Sequence, residues 1–343
     1  MSLMKAIRIS SPGADFELVQ MEIPEPGNNE VLIKVEACGV CHGDVMAKEG
    51  HMPGIKYPII PGHEVVGIVE KTGTPLGGRG GPLVVKWKVG QRVGVGWHGS
   101  HCNQCPACRK GDFGACEHSL TTGLHLDGGY AEYMIARTEV IINIPDELSS
   151  VEAAPLLCAG RTTFGALQSS GAKGGDLVAI HGLGGLGHLA VQYAVKLGYK
   201  TVVLSRGKEK EELAYKLGAH VYIDTDAGDA AKQLIALGGA RVILCTAPNG
   251  KAVSDLIPGL GRNGQAIIVI GGRDMIQIPP ALLLAGERSV RGFVSGNMED
   301  AIRFSVLTNI IPMVEVFPLE QAALAYEKMM TAKVHFRSVL KMG

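Results

Sequence analysis

The feature that most constrains this chain is a strand-like run, a glycine-rich turn and a helical stripe in immediate succession. The run Leu177–Ile180 is typical of a buried strand, and apolar residues from Leu186 to Leu197 then recur at helical spacing before Gly198. Between them lies the turn Gly182-Leu183-Gly184-Gly185-Leu186-Gly187. Glycines at these places permit a tight turn, close approach of backbone to a pyrophosphate, and close packing of helix on strand. The succession predicts a dinucleotide-binding unit, with a merely tight turn as the alternative.

After this unit, strand-like and helical patterns continue to alternate, which predicts a doubly wound parallel sheet. Further strands are expected at residues 201–204, 221–223, 242–244, 266–270 and 289–293.

Before about residue 150 the pattern is different, with short strand-like runs separated by Pro- and Gly-rich breaks. These runs are Ala6–Ile9, Val31–Val35, Val65–Val69, Arg92–Val95 and Tyr130–Met134. A helical segment, Glu299–Leu307, and a last apolar run, Val334–Met342, indicate that the C-terminal part rejoins this region. We therefore expect a β-rich domain, residues 1–149 and 296–343, interrupted by an α/β domain at residues 150–295.

Composition limits the partners that the protein can have. Its 343 residues suffice for two domains. Lys plus Arg and Asp plus Glu both number 33, so the net charge of zero gives no electrostatic reason to expect nucleic acid or an anionic membrane. The uncharged stretch 177–195 is interrupted by glycines, and no export signal is recognisable. We expect a soluble cytoplasmic protein without nucleic-acid or membrane partners, with a flexible loop at residues 73–81.

The end of the second predicted strand of the α/β domain bears on cofactor choice. An NAD site usually places Asp or Glu there for the ribose hydroxyls, whereas this chain has Ser205-Arg206-Gly207-Lys208. A hydroxyl and a guanidinium would bind a 2′-phosphate that a carboxylate would repel. We predict NADP(H), with NAD(H) as second choice, and count Lys210 among the cofactor-binding residues. A solvated basic turn is the alternative.

Four cysteines at short spacing predict a metal site. Cys102, Cys105 and Cys108 form two C-x-x-C steps, and Cys116 follows eight residues later. Four thiolates from one loop, at about residues 98–118, suit a tetrahedral structural Zn²⁺ with no open position. An iron–sulfur cluster could use a similar run. A disulfide framework is less favoured because no export signal accompanies the cysteines.

Three dispersed segments supply a second set of metal-binding side chains. Cys41, His63 and Cys158 together form the ligand set of an open catalytic zinc, with water in the fourth position. Spacing alone does not prove this set, because a single Cys is more often buried filler and a single His a satisfied polar group.

The order of these motifs resembles the zinc-dependent medium-chain alcohol dehydrogenases over nearly the whole chain. The resemblance rests on residues 62–67, the four-cysteine loop, residues 128–133, residues 158–162 and the glycine-rich turn. It implies a GroES-like β-barrel catalytic domain interrupted by a Rossmann domain. It also implies that Cys41, His63 and Cys158 bind catalytic zinc, that Glu64 can replace the water ligand, and that Asp44 hydrogen-bonds His63 and so fixes its tautomer.

The same resemblance gives roles to several further residues. It implies that Trp97, with Met46 and Gly43, shapes the substrate pocket and that Thr162 contacts the nicotinamide. His42 and Arg337 are expected at the cofactor pyrophosphate. The implied function is hydride transfer between NADP(H) and an alcohol/aldehyde pair, a small-molecule substrate, in the aldehyde-reducing direction. A homodimer or homotetramer with two Zn²⁺ per chain is also implied.

One departure from the family pattern concerns the proton. The usual relay begins with Ser or Thr two residues after the first zinc cysteine and often includes a histidine three residues further on; this chain has Gly43 and Met46. Positioned acid–base help is worth about 10²- to 10⁴-fold in rate. We hypothesise that the missing side chain at Gly43 admits a water molecule, which bridges the zinc-bound oxygen of the substrate to the ribose or to His42. The alternatives are a polyol or unsaturated carbonyl substrate, or a catalytically silent cofactor-binding protein.

Overall fold

The computed structural model describes residues 2–74, 87–272, 274–294 and 296–343, and these form two compact units. The first comprises the chain up to Cys158 together with residues 298–306 and 312–343. The second comprises residues 159–297 and 307–311. The chain therefore leaves the first unit, builds the second, and returns.

The described residues form seventeen strands and eleven α-helices. The strands are β1 Leu3–Ile9, β2 Phe16–Glu22, β3 Glu30–Val40, β4 Glu64–Thr72, β5 Arg92–Val95, β6 His98–Ser100, β7 Leu120–Thr121, β8 Tyr133–Arg137, β9 Ile141–Asn143, β10 Leu177–His181, β11 Lys200–Ser205, β12 Val221–Asp224, β13 Ala240–Cys245, β14 Leu260–Ile268, β15 Ser289–Gly292, β16 Val314–Pro318 and β17 Arg337–Lys341. The helices are α1 Val45–Glu49, α2 Pro106–Arg109, α3 Ser150–Pro155, α4 Arg161–Gln168, α5 Gly187–Lys196, α6 Glu211–Lys216, α7 Ala230–Ala236, α8 Gly250–Leu256, α9 Pro280–Leu284, α10 Met298–Thr308 and α11 Ala322–Met330. Short 3₁₀ turns lie at His42–Asp44, Phe113–Ala115, Ile257–Gly259 and Leu319–Gln321, and a π-helical turn at Leu156–Gly160.

The second unit confirms the predicted doubly wound parallel sheet. Its six strands run in the order β12-β11-β10-β13-β14-β15, and every described pairing between them is parallel. All five residues of the central strand β10 are buried, as expected for a strand covered on both faces. Helix α5 follows it and ends before Gly198, whose φ of +82° is the left-handed conformation of a C-capping glycine.

The first unit is built on an antiparallel-rich sheet of seven strands. Its order is β16-β17-β3-β4-β5-β9, and β8 also pairs with β3. Strands β1 and β2 form a separate antiparallel pair. Side chains from these strands and from α11 fill one apolar core. Strand β3, at the centre, contacts β4 on one side and β17 on the other, and this arrangement positions the candidate site.

Two boundaries differ from the sequence-based expectation. The predicted strand Tyr130–Met134 begins at Tyr133 instead. The Tyr130 backbone N–H donates to the Pro61 carbonyl, and the Tyr130 carbonyl accepts the Ile7 backbone N–H. The predicted domain boundary at residue 149 also falls before the division at Cys158, since α3 packs against β3 and β4 of the first unit.

Two other expectations concern particular segments. Of the residues predicted as a flexible loop, 73–81, positions 75–81 lie outside the described residues. Within the described residues, no helix has both the length and the apolar character needed to cross a membrane.

Candidate active site

The first of the predicted zinc-binding cysteines is held at the end of β3 by a short capping motif. Cys41 precedes the 3₁₀ turn His42–Asp44, and its Sγ accepts a hydrogen bond from Gly43 N at 3.4 Å. Asp44 Oδ2 in return accepts the Cys41 backbone N–H at 2.9 Å. This is a capping box in which a thiol and an aspartate replace the usual hydroxyl and glutamate. The motif therefore fixes both Cys41 and Asp44.

The structure brings Cys41, His63, Glu64 and Cys158 together. One ligand atom from each lies within 4.8 Å of all the others, and the two sulfur atoms are 3.8 Å apart. The buried His63 Nε2 and Glu64 Oε2 have no hydrogen-bond partner among the described residues. Cys158 enters from the π-helical turn Leu156–Gly160, a deformation that is frequent at functional sites. Two sulfurs and an imidazole nitrogen that converge in this way fit a three-ligand zinc site.

The His63 imidazole is oriented by Asp44. Its Nδ1 lies 3.0 Å from Asp44 Oδ1, and both side chains are 2% exposed. An Nδ1–H that donates to the carboxylate leaves Nε2 free to bind a metal. Burial disfavours the charged imidazole, but the negative charges of Asp44 and Cys41 outweigh it and raise the pKa of His63 to about 10. A hydrogen bond from Cys158, in turn, holds the pKa of the Cys41 thiol well below its usual value.

Glu64 is paired with Arg337 in the interior. The Arg337 guanidinium donates to Glu64 Oε1, and neither side chain is more than 4% exposed. Burial raises the pKa of Glu64 to about 7, even though the guanidinium lowers it. A Cβ at Gly39 would lie 1.9 Å from Glu64 Oε2, so only glycine leaves room for this carboxylate. The residue predicted at the pyrophosphate, Arg337, is thus placed against Glu64, and its cofactor role stays a prediction.

The predicted four-cysteine loop also closes into a compact cluster. The sulfurs of Cys102, Cys105, Cys108 and Cys116 all lie within 4.8 Å of one another. The Cys102 sulfur accepts backbone N–H bonds from Gln104 at 3.5 Å and from Cys105 at 3.3 Å. Backbone N–H bonds also lower the pKa of Cys105 to about 6, which favours the thiolate. Cys102, Cys105, Cys108 and Cys116 are not joined in disulfides, and this set of four fits a closed tetrahedral zinc site.

The space beside Gly43 is narrow, and the hypothesis of a water molecule there stays a prediction. A Cβ at Gly43 would lie 2.9 Å from Trp97 Cζ3 and 3.0 Å from His63 Cε1. The indole ring stands edge-on to the imidazole, with ring centroids 4.8 Å apart. Trp97 and His63 therefore leave little room for a side chain at position 43, whereas Gly43 itself is partly exposed.

Other predicted residues of this unit are more open. His42 is exposed, and Met46 is 40% exposed. Neither makes a side-chain hydrogen bond or ion pair with the described residues. Both remain available to a ligand.

A cavity of about 1790 Å³ lies within the second unit, at the carboxyl ends of its strands. Gly182, Gly184, Ser205, Arg206 and Lys210 line it. Such a cavity beside the glycine-rich turn is where a doubly wound sheet binds a dinucleotide. At the end of this turn, Leu186 is the N-cap residue of α5 and Gly187 is its first residue.

The two loops at this end of the sheet are tied together. Lys210 Nζ donates to the Leu183 carbonyl at 3.0 Å.

Two further residues of the second unit bear on the predicted site. Thr162, predicted to contact the nicotinamide, lies in α4, where it is buried. Sequence reasoning missed His181, a cavity-lining residue with 8% exposure whose Nδ1 has no partner among the described residues. Nothing in its position, the last of a buried strand, marks it in the sequence.

Comparison with known proteins decides the family. Residues 27–146 match the alcohol dehydrogenase GroES-like domain, and residues 185–309 match the zinc-binding dehydrogenase family. The alcohol dehydrogenase notN of Aspergillus sp. is 45% identical over 92% of this chain and 91% of its own length. This chain belongs to the zinc-type medium-chain alcohol dehydrogenases. The predicted family, and its GroES-like and Rossmann-type fold, are therefore confirmed.

Two further similarities extend over almost the whole length of this alcohol dehydrogenase family member. The alcohol dehydrogenase patD of Penicillium expansum is 43% identical over 99% of this chain and 98% of its own. The solved structure of CAD from Helicobacter pylori, complexed with NADP(H), has a TM-score of 0.85 and 27% identity, and covers 99% of this chain and 98% of that one. An oxidoreductase acting on a small molecule is thus supported from both sequence and structure.

Two glycines of the turn should respond differently to alanine in this alcohol dehydrogenase. A Cβ at Gly187 would lie 1.9 Å from the Gly182 carbonyl oxygen, whereas a Cβ at Gly184 meets nothing within 4 Å. We expect Gly187→Ala to lower the free energy of unfolding by about 1–3 kcal/mol or more, because the added methyl group would overpack the interior. Gly184→Ala should change it by less than about 0.5 kcal/mol. The same Gly184→Ala variant should bind dinucleotide about tenfold more weakly, because its methyl group meets the pyrophosphate.

Denaturant unfolding and cofactor titration of the two variants measure these effects. Equal stability of both variants would contradict the close packing of Gly187 on Gly182, and unchanged binding by Gly184→Ala would contradict the placement of the cofactor at this turn.

A second pair of variants tests the packing beside Gly43. Gly43→Ser and Gly43→Ala should both destabilise the protein by about 1–3 kcal/mol, because either Cβ is forced against Trp97 and His63. Both should lower turnover to a similar degree. Thermal unfolding and steady-state rates provide the measurements. A Gly43→Ser enzyme that is faster than wild type, beside a slower Gly43→Ala, would mean that a hydroxyl is accommodated and used.

Proposed function

We propose that this protein is an NADP(H)-preferring, zinc-dependent alcohol dehydrogenase that acts mainly as an aldehyde reductase. The observation that supports the cofactor choice is the end of β11. Ser205 and Arg206 follow each other there and both line the cofactor cavity. A hydroxyl and a guanidinium at this place complement a 2′-phosphate.

The carboxylate of the neighbouring strand is occupied elsewhere, which favours the same choice. Asp224 Oδ1 accepts the backbone N–H of Gly207 at 2.8 Å and of Asp226 at 2.9 Å. Its charge thus stabilises the turn that presents Arg206. Glu209 also lines the cavity, so the basic side chains do not stand alone. The related CAD of Helicobacter pylori, solved with NADP(H), adds support by similarity.

Two Zn²⁺ ions per chain would be held by the two donor sets. Cys102, Cys105, Cys108 and Cys116 would hold the structural ion, and Cys41, His63 and Cys158 the catalytic one. When bound, the catalytic ion supplies Lewis-acid polarisation of a carbonyl or lowers the pKa of an alcohol, and the nicotinamide supplies or accepts hydride. Asp44 holds His63 in the tautomer that this requires.

The substrate would be an apolar aldehyde. Trp97 packs against His63 and, together with Met52 and Tyr57, against a buried apolar cluster that includes Ile59 and Leu124. Met46 adds a further apolar side chain. These surfaces favour aromatic or medium aliphatic aldehydes over sugars, whose hydroxyls would be left without partners.

Proton transfer would have to pass through solvent or His42. Neither Gly43 nor Met46 can carry a proton, and a side chain at position 43 would be forced against Trp97. His42, next to Cys41, is exposed to water. His42 is thus proposed as the side chain that receives or supplies the proton.

A rate survey tests this function. Aldehydes and alcohols are assayed with NADPH and NADH in parallel, on protein of measured zinc content. We expect the highest kcat/KM for an aromatic or medium aliphatic aldehyde with NADPH. Reduction of a carbon–carbon double bond, or a preference for polyols, would move the enzyme to another substrate class. No turnover with any substrate, despite bound NADPH, would leave a cofactor-binding protein without catalysis.

Arg206→Ala tests the cofactor preference. Hydrogen bonds to charged groups contribute about 1.5–3 kcal/mol, so we expect KM for NADPH to rise by roughly 10- to 150-fold. KM for NADH should change less than about twofold, since it has no 2′-phosphate. Initial rates at saturating aldehyde measure both, and Lys232→Ala, a surface lysine of α7, serves as control. Equal losses with both cofactors would mean that Arg206 does not recognise the phosphate.

A further inference from the structure

We propose that Tyr130 is a positioning residue of the catalytic metal centre and acts on His63 through Asp44. The inference rests on the metal centre of the proposed function. Tyr130 is not a proposed metal ligand, and its side chain does not hydrogen-bond to one. Its hydroxyl contacts Asp44 instead.

A chain of three side chains connects Tyr130 to the metal-binding nitrogen. The Tyr130 hydroxyl donates to Asp44 Oδ2 at 2.9 Å, and Asp44 Oδ1 lies 3.0 Å from His63 Nδ1. The Cys41 backbone N–H also donates to Asp44 Oδ2, at 2.9 Å. One carboxylate oxygen thus receives two donors while the other faces the imidazole. Two donors on one oxygen restrict rotation of the carboxylate and so fix the direction of the other oxygen.

Burial makes this arrangement consequential. Tyr130 is 0% exposed, Asp44 3% and His63 1%, so water does not compete for these hydrogen bonds. Burial, and after it the neighbouring Asp44 charge, raises the pKa of Tyr130 well above its usual value. The phenol therefore stays a neutral donor. Charge-assisted hydrogen bonds of this kind are about twice as strong as neutral ones.

Two glycine motifs are shaped to admit the Tyr130 ring. A Cβ at Gly62, the residue before His63, would lie 2.3 Å from Tyr130 Cδ1. A Cβ at Gly128 would lie 2.1 Å from the Gly62 carbonyl oxygen, and a Cβ at Gly129 would lie 2.4 Å from Val65 Cγ2. The segment 128–130 is pinned there by backbone bonds to residues 60–62. The two motifs thus pack on each other and bring the hydroxyl to Asp44.

A purely structural role for Tyr130 makes a different prediction. The ring fills the core of the first unit beside Phe16, and a phenylalanine would fill the same volume. If packing were its whole purpose, removal of the oxygen would affect global stability and nothing specific to His63. If the hydroxyl positions Asp44, its removal should loosen the metal held by His63 more than any other part of the protein.

The experiment follows transfer of Zn²⁺ from the fully loaded protein to a chromophoric chelator. His63→Ala identifies the kinetic phase that belongs to the Cys41–His63–Cys158 site. The phase of the four-cysteine loop is an internal control in the same molecule. Tyr199→Phe, which removes a hydroxyl that donates to the Ala172 carbonyl, is the matched control variant.

We expect Tyr130→Phe to accelerate the catalytic-site phase by about three- to tenfold, less than the roughly 10- to 100-fold typical of a direct partner of a metal ligand. Asp44→Asn should show that larger effect, and adding Tyr130→Phe to it should contribute less than about twofold, because the two residues act in series. The loop phase and Tyr199→Phe should match wild type. The kcat of Tyr130→Phe should fall while KM for NADPH is unchanged.

The outcomes separate this proposal from the proposed function. Equal acceleration of both metal phases, an undiminished Tyr130→Phe effect in the Asp44→Asn protein, or a Tyr130→Phe protein that does not fold would each assign Tyr130 to structure alone. A wild-type protein that releases only one Zn²⁺, with no phase sensitive to His63→Ala, would instead overturn the metal centre itself.

Discussion

The first unit depends on the mutual compensation of charges that are buried together. Asp44, His63, Glu64 and Arg337 are each at most 4% exposed, and an unpaired charge in such surroundings would be too costly to keep. Strand register solves the problem. Gly39 of β3 pairs with Glu64, the first residue of β4, and the neighbouring Val40 pairs with Ser338 of β17. The beginnings of two strands therefore meet at the end of a third, and Glu64 and Arg337 come together there.

This dependence on register explains what the sequence could and could not predict. The glycine-rich turn of the second unit is a local motif, since β10, the turn and α5 follow one another along the chain. Its sequence pattern was sufficient to predict this strand, turn and helix. Cys41 and His63 are brought together by the pairing of β3 with β4, and Cys158 by the packing of α3 against these strands, so their spacing along the chain left the site open. The resemblance to a family supplied what local pattern could not.

Two details that sequence reasoning could not supply both concern space. Gly43 suggested an opening, yet a side chain there would be forced against Trp97 and His63. Tyr130 was assigned to a strand, yet its ring lies against Gly62 and its hydroxyl reaches Asp44. A glycine in a sequence does not reveal whether it leaves room for solvent, for a carboxylate or for an aromatic ring. Only the packed structure distinguishes these cases.

The same packing explains why the donor set favours a cation. Two thiols and two carboxylates surround His63, with one guanidinium beside Glu64. Burial lowers the pKa of the imidazole, but Asp44 and Cys41 outweigh it and raise that pKa to about 10. With a metal ion bound as proposed, the ion would replace the proton, so metal binding would release protons and weaken as the pH falls. Asp44 would then stabilise the neutral tautomer instead of an imidazolium. One hydrogen bond of the buried carboxylate would therefore serve both folding and metal binding, and residues that restrict its rotation would contribute to both.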